Sequence, residues 1–256
     1  MSSAPPEVAA LPRGILGLSI ADLESELEAF ERVVSEWITP ASQKRLVQLR
    51  EQLPNIAAAD RDAEHSWGTA LNSPLETLPS NGSHQPGRAG KGKSLRGVLR
   101  FKWSLRVLGT PSRKNPSQRC VALLNSSVRV LLCEGTAGVA GWDFDSGTHD
   151  SPGCHFHAKF WDPSLGPSAK HHVDVPRLPG LIFMPTDALE FILGELWQDE
   201  WPTRSQGTSM NQWKRFPTRR MKAMLNWLQA ELAESASSPW TRLKGSRPQS
   251  TMTWAV

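Results

Sequence analysis

The strongest restriction on the fold is a strict two-residue alternation over residues 99–107. The apolar positions are Leu99, Phe101, Trp103, Leu105 and Val107, and the intervening positions are Arg100, Lys102, Ser104 and Arg106. Successive side chains of a β-strand point to opposite faces, so this segment predicts a half-buried strand with a basic outer face. Such a strand requires a sheet with one face on a core and the other in water.

The basic residues of this strand belong to a segment that lacks carboxylates. Residues 77–133 contain 11 Lys or Arg and no Asp or Glu, although the whole chain has a formal net charge of only +4. Two explanations remain open at this point. The chain's own acidic segments could neutralise the block, or the block could form a cationic surface for a polyanion. In the second case we expect Arg96, Arg100, Lys102 and Arg106 to contact phosphates.

Two helices are predicted before this segment. Apolar residues from Ile20 to Trp37 recur at steps of three and four, and Ser19 with Asp22 forms a capping signature. A second helix is predicted from Thr39 and Pro40 up to Pro54. We expect a helical hairpin that packs on the sheet or uses residues 19–53 to contact a protein partner or a second copy of the chain.

The remaining elements complete the predicted sheet. Residues 119–124 and 128–134 predict a hairpin with a turn at 125–127, and residues 139–144 predict a further strand. Residues 154–161 and 171–177 predict a second hairpin. The fold class is therefore α+β, with an antiparallel sheet of about six strands covered by helices and an N-terminal helical hairpin.

Two helices are predicted after the sheet. The first begins at Thr186 with Asp187 in its first turn, and the last begins at Pro217. For the last helix we expect Met221, Met224, Leu225, Leu228 and Leu232 inside, and Arg219, Arg220 and Lys222 outside.

Composition shifts suggest five segments along the chain. We expect a flexible leader (1–17), a helical hairpin region (18–71), a Ser/Pro/Gly-rich linker (72–94), an α+β domain (95–233) and a disordered tail (234–256). The linker contains the phosphate-loop string G-x-x-x-x-G-K-S at Gly87, Gly92, Lys93 and Ser94. A strand rather than a helix is predicted to follow it, which argues against nucleotide binding.

Cysteine usage and hydropathy limit the compartment. Cys120, Cys133 and Cys154 fit neither a disulfide framework nor a zinc site, so we expect reduced, buried thiols. The sequence has no apolar run of about 18 residues and no signal-peptide pattern at its start. The prediction is a cytoplasmic protein that does not contact a membrane.

Candidate chemistry is concentrated in the second hairpin. Strand alternation places His155, His157 and Lys159 on one face of residues 154–161, and His172 and Asp174 on the matching face of residues 171–177. Cross-strand neighbours have β-carbons about 4.5 to 5.5 Å apart, so these side chains could meet on one surface. Nearby, Asp143 or Asp145 could orient an imidazole.

Three interpretations of this hairpin stay open. His155, His157, His172 and Asp174 could bind a divalent metal such as zinc and leave one coordination position open. Without a metal, one imidazole could act as base and another as acid, while Lys159 or an arginine stabilises the transition state of a ribonucleolytic transfer. The third interpretation is an ordinary exposed sheet face.

The order of motifs over residues 142–200 resembles small prokaryotic proteins in which an aromatic-Asp pair precedes His-x-His, among them toxins of the TumE type. The matching positions are Trp142 and Asp143, His155, Phe156 and His157, and a helix introduced by Pro185 and Thr186. The resemblance implies a bacterial toxin or defence component that acts on RNA or another nucleic acid. The long helical N-terminal part departs from that pattern.

The leading hypothesis from the sequence is a prokaryotic nucleic-acid-associated protein, in its enzymatic form a phosphodiester hydrolase. The alternative is a non-catalytic adaptor that binds partner subunits through its acidic helical hairpin and basic sheet face. The sequence leaves open whether the basic strand and the histidine hairpin share a face.

Overall fold

A computed structural model describes residues 4–70, 72–82, 93–109, 119–146, 155–160, 178–179, 184–234 and 236–253, with 155–160 and 178–179 described as backbone only. The strands are β1 (Leu16–Ser19), β2 (Glu64–Gly68), β3 (Leu75–Glu76), β4 (Arg96–Val107), β5 (Cys120–Glu134), β6 (Ala137–Ser146), β7 (His155–Phe160) and β8 (Leu178–Pro179). The helices are α1 (Pro6–Ala9), α2 (Ile20–Val34), α3 (Pro40–Ala58), α4 (Pro185–Leu196), α5 (Trp201–Arg204), α6 (Thr208–Trp213), α7 (Arg215–Ala233) and α8 (Pro239–Gly245).

All described strands join one antiparallel sheet, which confirms the predicted α+β class. The strand order is β2-β4-β5-β6-β7-β8, with β1 added beside β5 and β3 added beside β4. β4 and β5 are the longest strands and form the centre of the sheet. The predicted alternation therefore belongs to a central strand, where one side can be buried along its whole length.

The core lies between the inner face of the sheet and the helices. Leu99, Trp103 and Val130 are fully buried with residues of α2, α3 and α4. Gly97 lets α4 approach β4, because a β-carbon at this position would lie 2.0 Å from the Ile192 Cγ2 atom. The inner face of β4 is thus closed to solvent.

Both predicted helix starts in the N-terminal hairpin are confirmed. The Ser19 hydroxyl accepts a hydrogen bond from the Asp22 amide, and the Thr39 hydroxyl accepts one from the Ser42 amide, each at 3.2 Å. The apolar stripe of α2 is buried in the core, where Phe30 contacts Trp213 with ring centroids 4.9 Å apart. A partner at residues 19–53 would therefore contact the acidic outer side of α2.

Two predicted boundaries are wrong. Residues 125–127 are not a turn, because β5 runs continuously through them with a bulge opposite Ser104 and Leu105. Asn125 and Ser127 are polar because they are on the solvent side of the strand. α3 also continues past Pro54 to Ala58, since Ile56 and Ala57 are buried against the core.

The ends of the chain have more structure than the expected leader and tail. Val8 of α1 is fully buried, and a β-carbon on Gly17 would lie 2.2 Å from its Cγ1 atom. In the tail, the Ser250 carbonyl accepts from the Gly17 amide at 2.9 Å. Arg242 pairs with Glu231 of α7 at 2.7 Å. Within the residues 72–94 expected as a linker, residues 75–76 form β3.

The inner face of α7 differs from the expectation. Met221, Leu225 and Leu232 are exposed, whereas Arg220 is almost completely buried. The prediction from the apolar pattern is wrong because the buried side of α7 includes a charged residue, Arg220, which is paired with Glu26 and Asp187. No helix in the described ranges is long and apolar enough to span a bilayer.

Candidate nucleic-acid interface

The ladder places the basic strand and the described part of the histidine hairpin on the same face of the sheet. Arg100 pairs with Arg129, Arg129 pairs with Asp143, and Asp143 pairs with His157. The neighbouring row of cross-strand partners consists of Lys102, Ser127, Asp145 and His155. Directly paired residues lie on one side of a sheet, so the basic strand and His155, His157 and Lys159 share the outer face.

Part of the basic segment is neutralised within the chain. Arg96 pairs with Glu76 at 3.1 Å and Lys93 pairs with Glu134 at 2.9 Å. Arg119 is buried and donates to the carbonyls of Ala57 and Ala59 at the end of α3. The first explanation of the charge block therefore applies to Arg96 and Lys93, so Arg96 is not a free phosphate contact, whereas Arg119 is held by backbone carbonyls.

Three cations on β4 are not neutralised in this way. Arg100, Lys102 and Arg106 form no ion pair with an acidic side chain in the described ranges, although Glu64 lies opposite Arg106 in the ladder. Lys102 is exposed, and Arg100 and Arg106 are partly exposed. The Nε atoms of both arginines are buried and donate to no partner. This triad of cations is called the β4 cation row below.

Arg129 was missed in the sequence. Its guanidinium forms a two-pronged pair with Asp143, with Nε–Oδ1 at 2.8 Å and Nη2–Oδ2 at 3.1 Å. Its hydrogen bonds to Asp143 raise the pKa of Arg129, so its charge is permanent. The carboxylate is 9% exposed and the arginine 49% exposed. Only the register reveals this pair, because the two residues belong to different strands.

Two acidic residues of the outer face, Asp143 and Asp145, lie on β6. Asp143 is held by Arg129, and Asp145 lies one row away, opposite residue 155. Whether either aspartate orients an imidazole stays a prediction, and in the ladder Asp143 lies opposite His157 and Asp145 lies opposite His155. β6 and β7 share this face with the β4 cation row, and β5 lies between β4 and β6.

Other parts of the predicted histidine site are outside the described residues. β7 pairs on its second side with Leu178 and Pro179, whereas His172 and Asp174 are not described. Among the residues whose side chains are described, no group of three His, Cys, Asp or Glu could hold a metal ion. The predicted metal ligands therefore remain a hypothesis.

The cysteines described here are structural. Cys120 and Cys133 are buried free thiols, and burial raises the pKa of Cys120 to about 11. Burial also raises the pKa of Cys133. A raised pKa disfavours the thiolate form, which is the reactive form of a cysteine. Cys154 lies outside the described residues.

The phosphate-loop string has the wrong context for nucleotide binding. Lys93 pairs with Glu134, and the chain enters β4 at Arg96 instead of opening a helix. Gly87 and Gly92 lie outside the described residues. A phosphate loop needs a helix N-terminus after its lysine, whereas the described residues after Lys93 lead into a strand.

A buried ionic cluster was also missed in the sequence. Arg220 of α7 donates to Glu26 of α2 at 2.6 and 2.9 Å and to Asp187 of α4 at 2.6 Å. The hydroxyl of Thr186 donates to Glu26, and Asp187 accepts from the Met184 amide. Two carboxylates thus share one guanidinium in the core, which joins three helices.

Burial gives Asp187 an unusual protonation behaviour. Desolvation raises its pKa to about 6, and Glu26 adds to the rise while Arg220 opposes it. A carboxyl with a raised native pKa stabilises the fold below its unfolded pKa and loses that contribution as pH rises through about 6. We therefore expect Asp187 to make the protein less stable at pH 7 than at pH 4.

Asp187→Asn should remove this dependence. The free energy of unfolding is measured with urea at several pH values for wild type and variant. The difference between wild type and variant should fall by up to about 3 kcal/mol between pH 4 and pH 7. Asp60→Asn, at an exposed carboxylate, is the matched control and should keep the wild-type pH dependence. Parallel profiles for wild type and Asp187→Asn would contradict the raised pKa.

Comparisons with known proteins found no matching family model, no similar curated protein and no similar solved structure.

Proposed function

We propose that the protein binds single-stranded nucleic acid through the outer face of its sheet, with the β4 cation row holding phosphates. The observation that carries this proposal is that Arg100, Lys102 and Arg106 project from one strand without acidic partners in the described ranges. Clustered cations of this kind gain affinity for a polyanion because its counterions are released on binding. Arg129 on β5 adds no net positive charge to this surface, because its guanidinium is paired with Asp143.

The composition of the two faces favours recognition of phosphates over bases. Phe101 and Trp103, the aromatic residues of β4, are buried on the inner face and pack against Trp67. They cannot stack on bases. Arg100 and Lys102 are two residues apart, about 6.8 Å along a strand, and Arg106 follows Lys102 after a further four residues, about 13.6 Å, a spacing that suits an extended strand of nucleic acid. We therefore expect binding that depends little on base sequence.

Removing two of the cations tests this proposal. Arg100→Gln/Lys102→Gln should weaken the binding of a fluorescent oligothymidine strand by about tenfold or more, measured by anisotropy. The slope of log K against log salt should become shallower by about 1.4, since each phosphate contact with a single strand contributes about 0.7. A mixed-sequence strand should behave in the same way.

The matched control is Arg32→Gln/Lys44→Gln, which removes the same charge from exposed positions on α2 and α3. This variant should bind within about twofold of wild type. An equal loss in both double variants would mean that net charge alone attracts the strand. A salt-independent affinity in wild type would contradict phosphate binding altogether.

A second candidate function is phosphodiester hydrolysis at the same face. What supports it is the register, in which His155 and His157 of β7 lie opposite Asp145 and Asp143 of β6, and β6 is the strand next to that of Arg129. An imidazole beside a carboxylate and near bound phosphates suits acid–base transfer. His172 and Asp174, or Lys159, would complete the metal-dependent or metal-free form of the site. The resemblance of residues 142–200 to prokaryotic toxins agrees with this function.

The adaptor alternative predicts other behaviour. Its contact surfaces would be the acidic outer side of α2 and the same basic sheet face, each engaging a protein. Such an adaptor would bind nucleic acid weakly, and it would still bind its protein partners after His155 and His157 were replaced by alanine.

A further inference from the structure

A row of apolar side chains on α7 faces solvent instead of the core. Met221, Leu225 and Leu232 are 52%, 58% and 40% exposed, and Leu228 between them is half-buried. The four positions are spaced by four, three and four residues, so they lie on one side of the helix. These four residues are called the α7 stripe below. Single apolar residues on a surface are ordinary, whereas a continuous row indicates a contact surface.

A different side of α7 attaches the helix to the rest of the protein. Phe216, Ala223 and Met224 on that side are buried. The same side carries Arg220, paired with Glu26 of α2 and Asp187 of α4. The α7 stripe is therefore available to a second molecule while the helix stays in place.

The charged groups beside the α7 stripe are cationic. Lys214 precedes Met221 by seven residues, about two helical turns, so it lies in line with the stripe, and Lys222 follows Met221 directly. Lys214, Arg215 and Lys222 are exposed and form no ion pair with an acidic side chain in the part of the chain that the structure describes. The acidic residue within α7, Glu231, is buried and paired. The surface around the stripe is therefore positively charged.

We propose that the α7 stripe binds an amphipathic helix of a partner protein, whose apolar side contacts the stripe and whose flanking residues are acidic. Helices that dock on a protein surface use apolar anchors at positions i, i+3, i+4 and i+7. The stripe presents a matching pattern over residues 221–232, about three helical turns. Lys214 and Lys222 then face acidic residues of the partner helix, and such charge pairs select the partner.

Two other occupants fit this surface less well. A second copy of the chain would place the same lysines on both sides of the contact, and like charges across an interface oppose association. A helix at a bilayer surface buries its whole apolar side among the headgroups, whereas Phe216 and Met224 of α7 are buried in the protein. The helices cover the inner face of the sheet, so a helix bound to α7 leaves the β4 cation row open to nucleic acid.

The first test compares two designed fluorescent peptides by anisotropy with the full chain. Both are helices of three heptads with leucine at positions a and d, used below the concentration at which they self-associate. One peptide has glutamate at positions e and g, and the other has lysine there. Wild type should bind the glutamate peptide about tenfold more tightly, or better, than the lysine peptide. Equal binding of the two peptides, or no binding of either, would overturn the proposal.

Two charge variants locate the contact. Lys214→Gln/Lys222→Gln should reduce the preference for the glutamate peptide to about twofold or less, because its acidic flanks lose their partners. Arg100→Gln/Lys102→Gln removes the same charge from the β4 cation row and should keep the preference. The opposite result would mean that the acidic peptide binds the sheet face, and the assigned surface would be wrong.

The second test concerns the apolar contact. Leu225→Gln should weaken binding of the glutamate peptide by about fivefold or more, because an anchor at the centre of the contact is lost. Leu78→Gln is the matched control, since Leu78 is a 38% exposed leucine outside α7, and it should bind within about twofold of wild type. Equal loss in both variants would overturn the proposal.

Two further measurements exclude the other occupants. Wild type should sediment as a monomer at the concentrations used, and it should not bind vesicles that contain phosphatidylserine. A dimer that Leu225→Gln dissociates would assign the stripe to a second copy of the chain. Vesicle binding that Leu225→Gln abolishes would assign it to a membrane surface. Either result would overturn the proposal of a partner helix.

Discussion

Replacement of Arg220 by Met should lower the free energy of unfolding by about 3 to 5 kcal/mol at pH 7. In the wild type both Glu26 and Asp187 accept hydrogen bonds from the Arg220 guanidinium. The substitution leaves these two carboxylates buried side by side without a cation. Part of the loss should be recovered at pH 4, where the carboxyls can be protonated. Urea unfolding followed by circular dichroism measures both values.

Two further variants separate the loss of charge pairing from the loss of packing. Arg219→Met removes the neighbouring arginine, whose pair with Asp22 at 2.7 Å is partly exposed, and should cost at most about 1 kcal/mol. Glu26→Gln/Asp187→Asn/Arg220→Met contains no buried charge and should be more stable than Arg220→Met. If the single variant were as stable as Arg219→Met, the cluster would not hold the three helices together.

The second large effect is expected from the histidines of β7. Under the hydrolase hypothesis, His155→Ala/His157→Ala should reduce cleavage of single-stranded RNA by at least about 100-fold, because acid–base catalysis commonly contributes that much. Binding of the same strand should stay within about twofold of wild type, since the β4 cation row is intact. Cleavage is measured on end-labelled RNA and binding by anisotropy.

His65→Ala is the matched control for this pair. His65 lies on β2 opposite Leu105, and so on the inner face of the sheet, and its loss should leave cleavage unchanged. Metal analysis of wild type and of the double variant distinguishes the two forms of the site. The metal-dependent form predicts a bound divalent ion that the double variant lacks, and the metal-free form predicts activity in the presence of a chelator. Full cleavage by the double variant would exclude both forms.

Local sequence patterns were sufficient to predict much of the sheet and the residues at which the first two long helices begin. The alternation of β4 predicted its buried and basic faces, because a strand has only two sides and apolar residues occupied one of them. Ser19 and Thr39 were recognised as helix caps because the capping interaction spans only three residues. Pairing of β4 with β5 was not needed for either inference.

The same reasoning failed where long-range contacts reversed a local preference. Asn125 and Ser127 favour a turn locally, yet pairing of Asn125 with β4, and of Ser127 with both β4 and β6, keeps them extended. On α7, hydrophobicity alone selected Met221 and Leu225 for the interior, but Arg220 is buried because Glu26 and Asp187 come from two other helices to meet it. Such partners cannot be identified within one helix.

For the candidate site, the sequence by itself determined that β4 has an apolar side and a cationic side, because side-chain alternation is a property of a single strand. Only the tertiary structure decided which of the cations are free. Arg96 and Arg129 are neutralised by Glu76 and Asp143, whereas Arg100, Lys102 and Arg106 have no acidic partner in the described ranges. It also brought His155 and His157 onto the face of the β4 cation row. The register between strands fixes both results, and the register depends on hydrogen bonds between segments that are far apart in the chain.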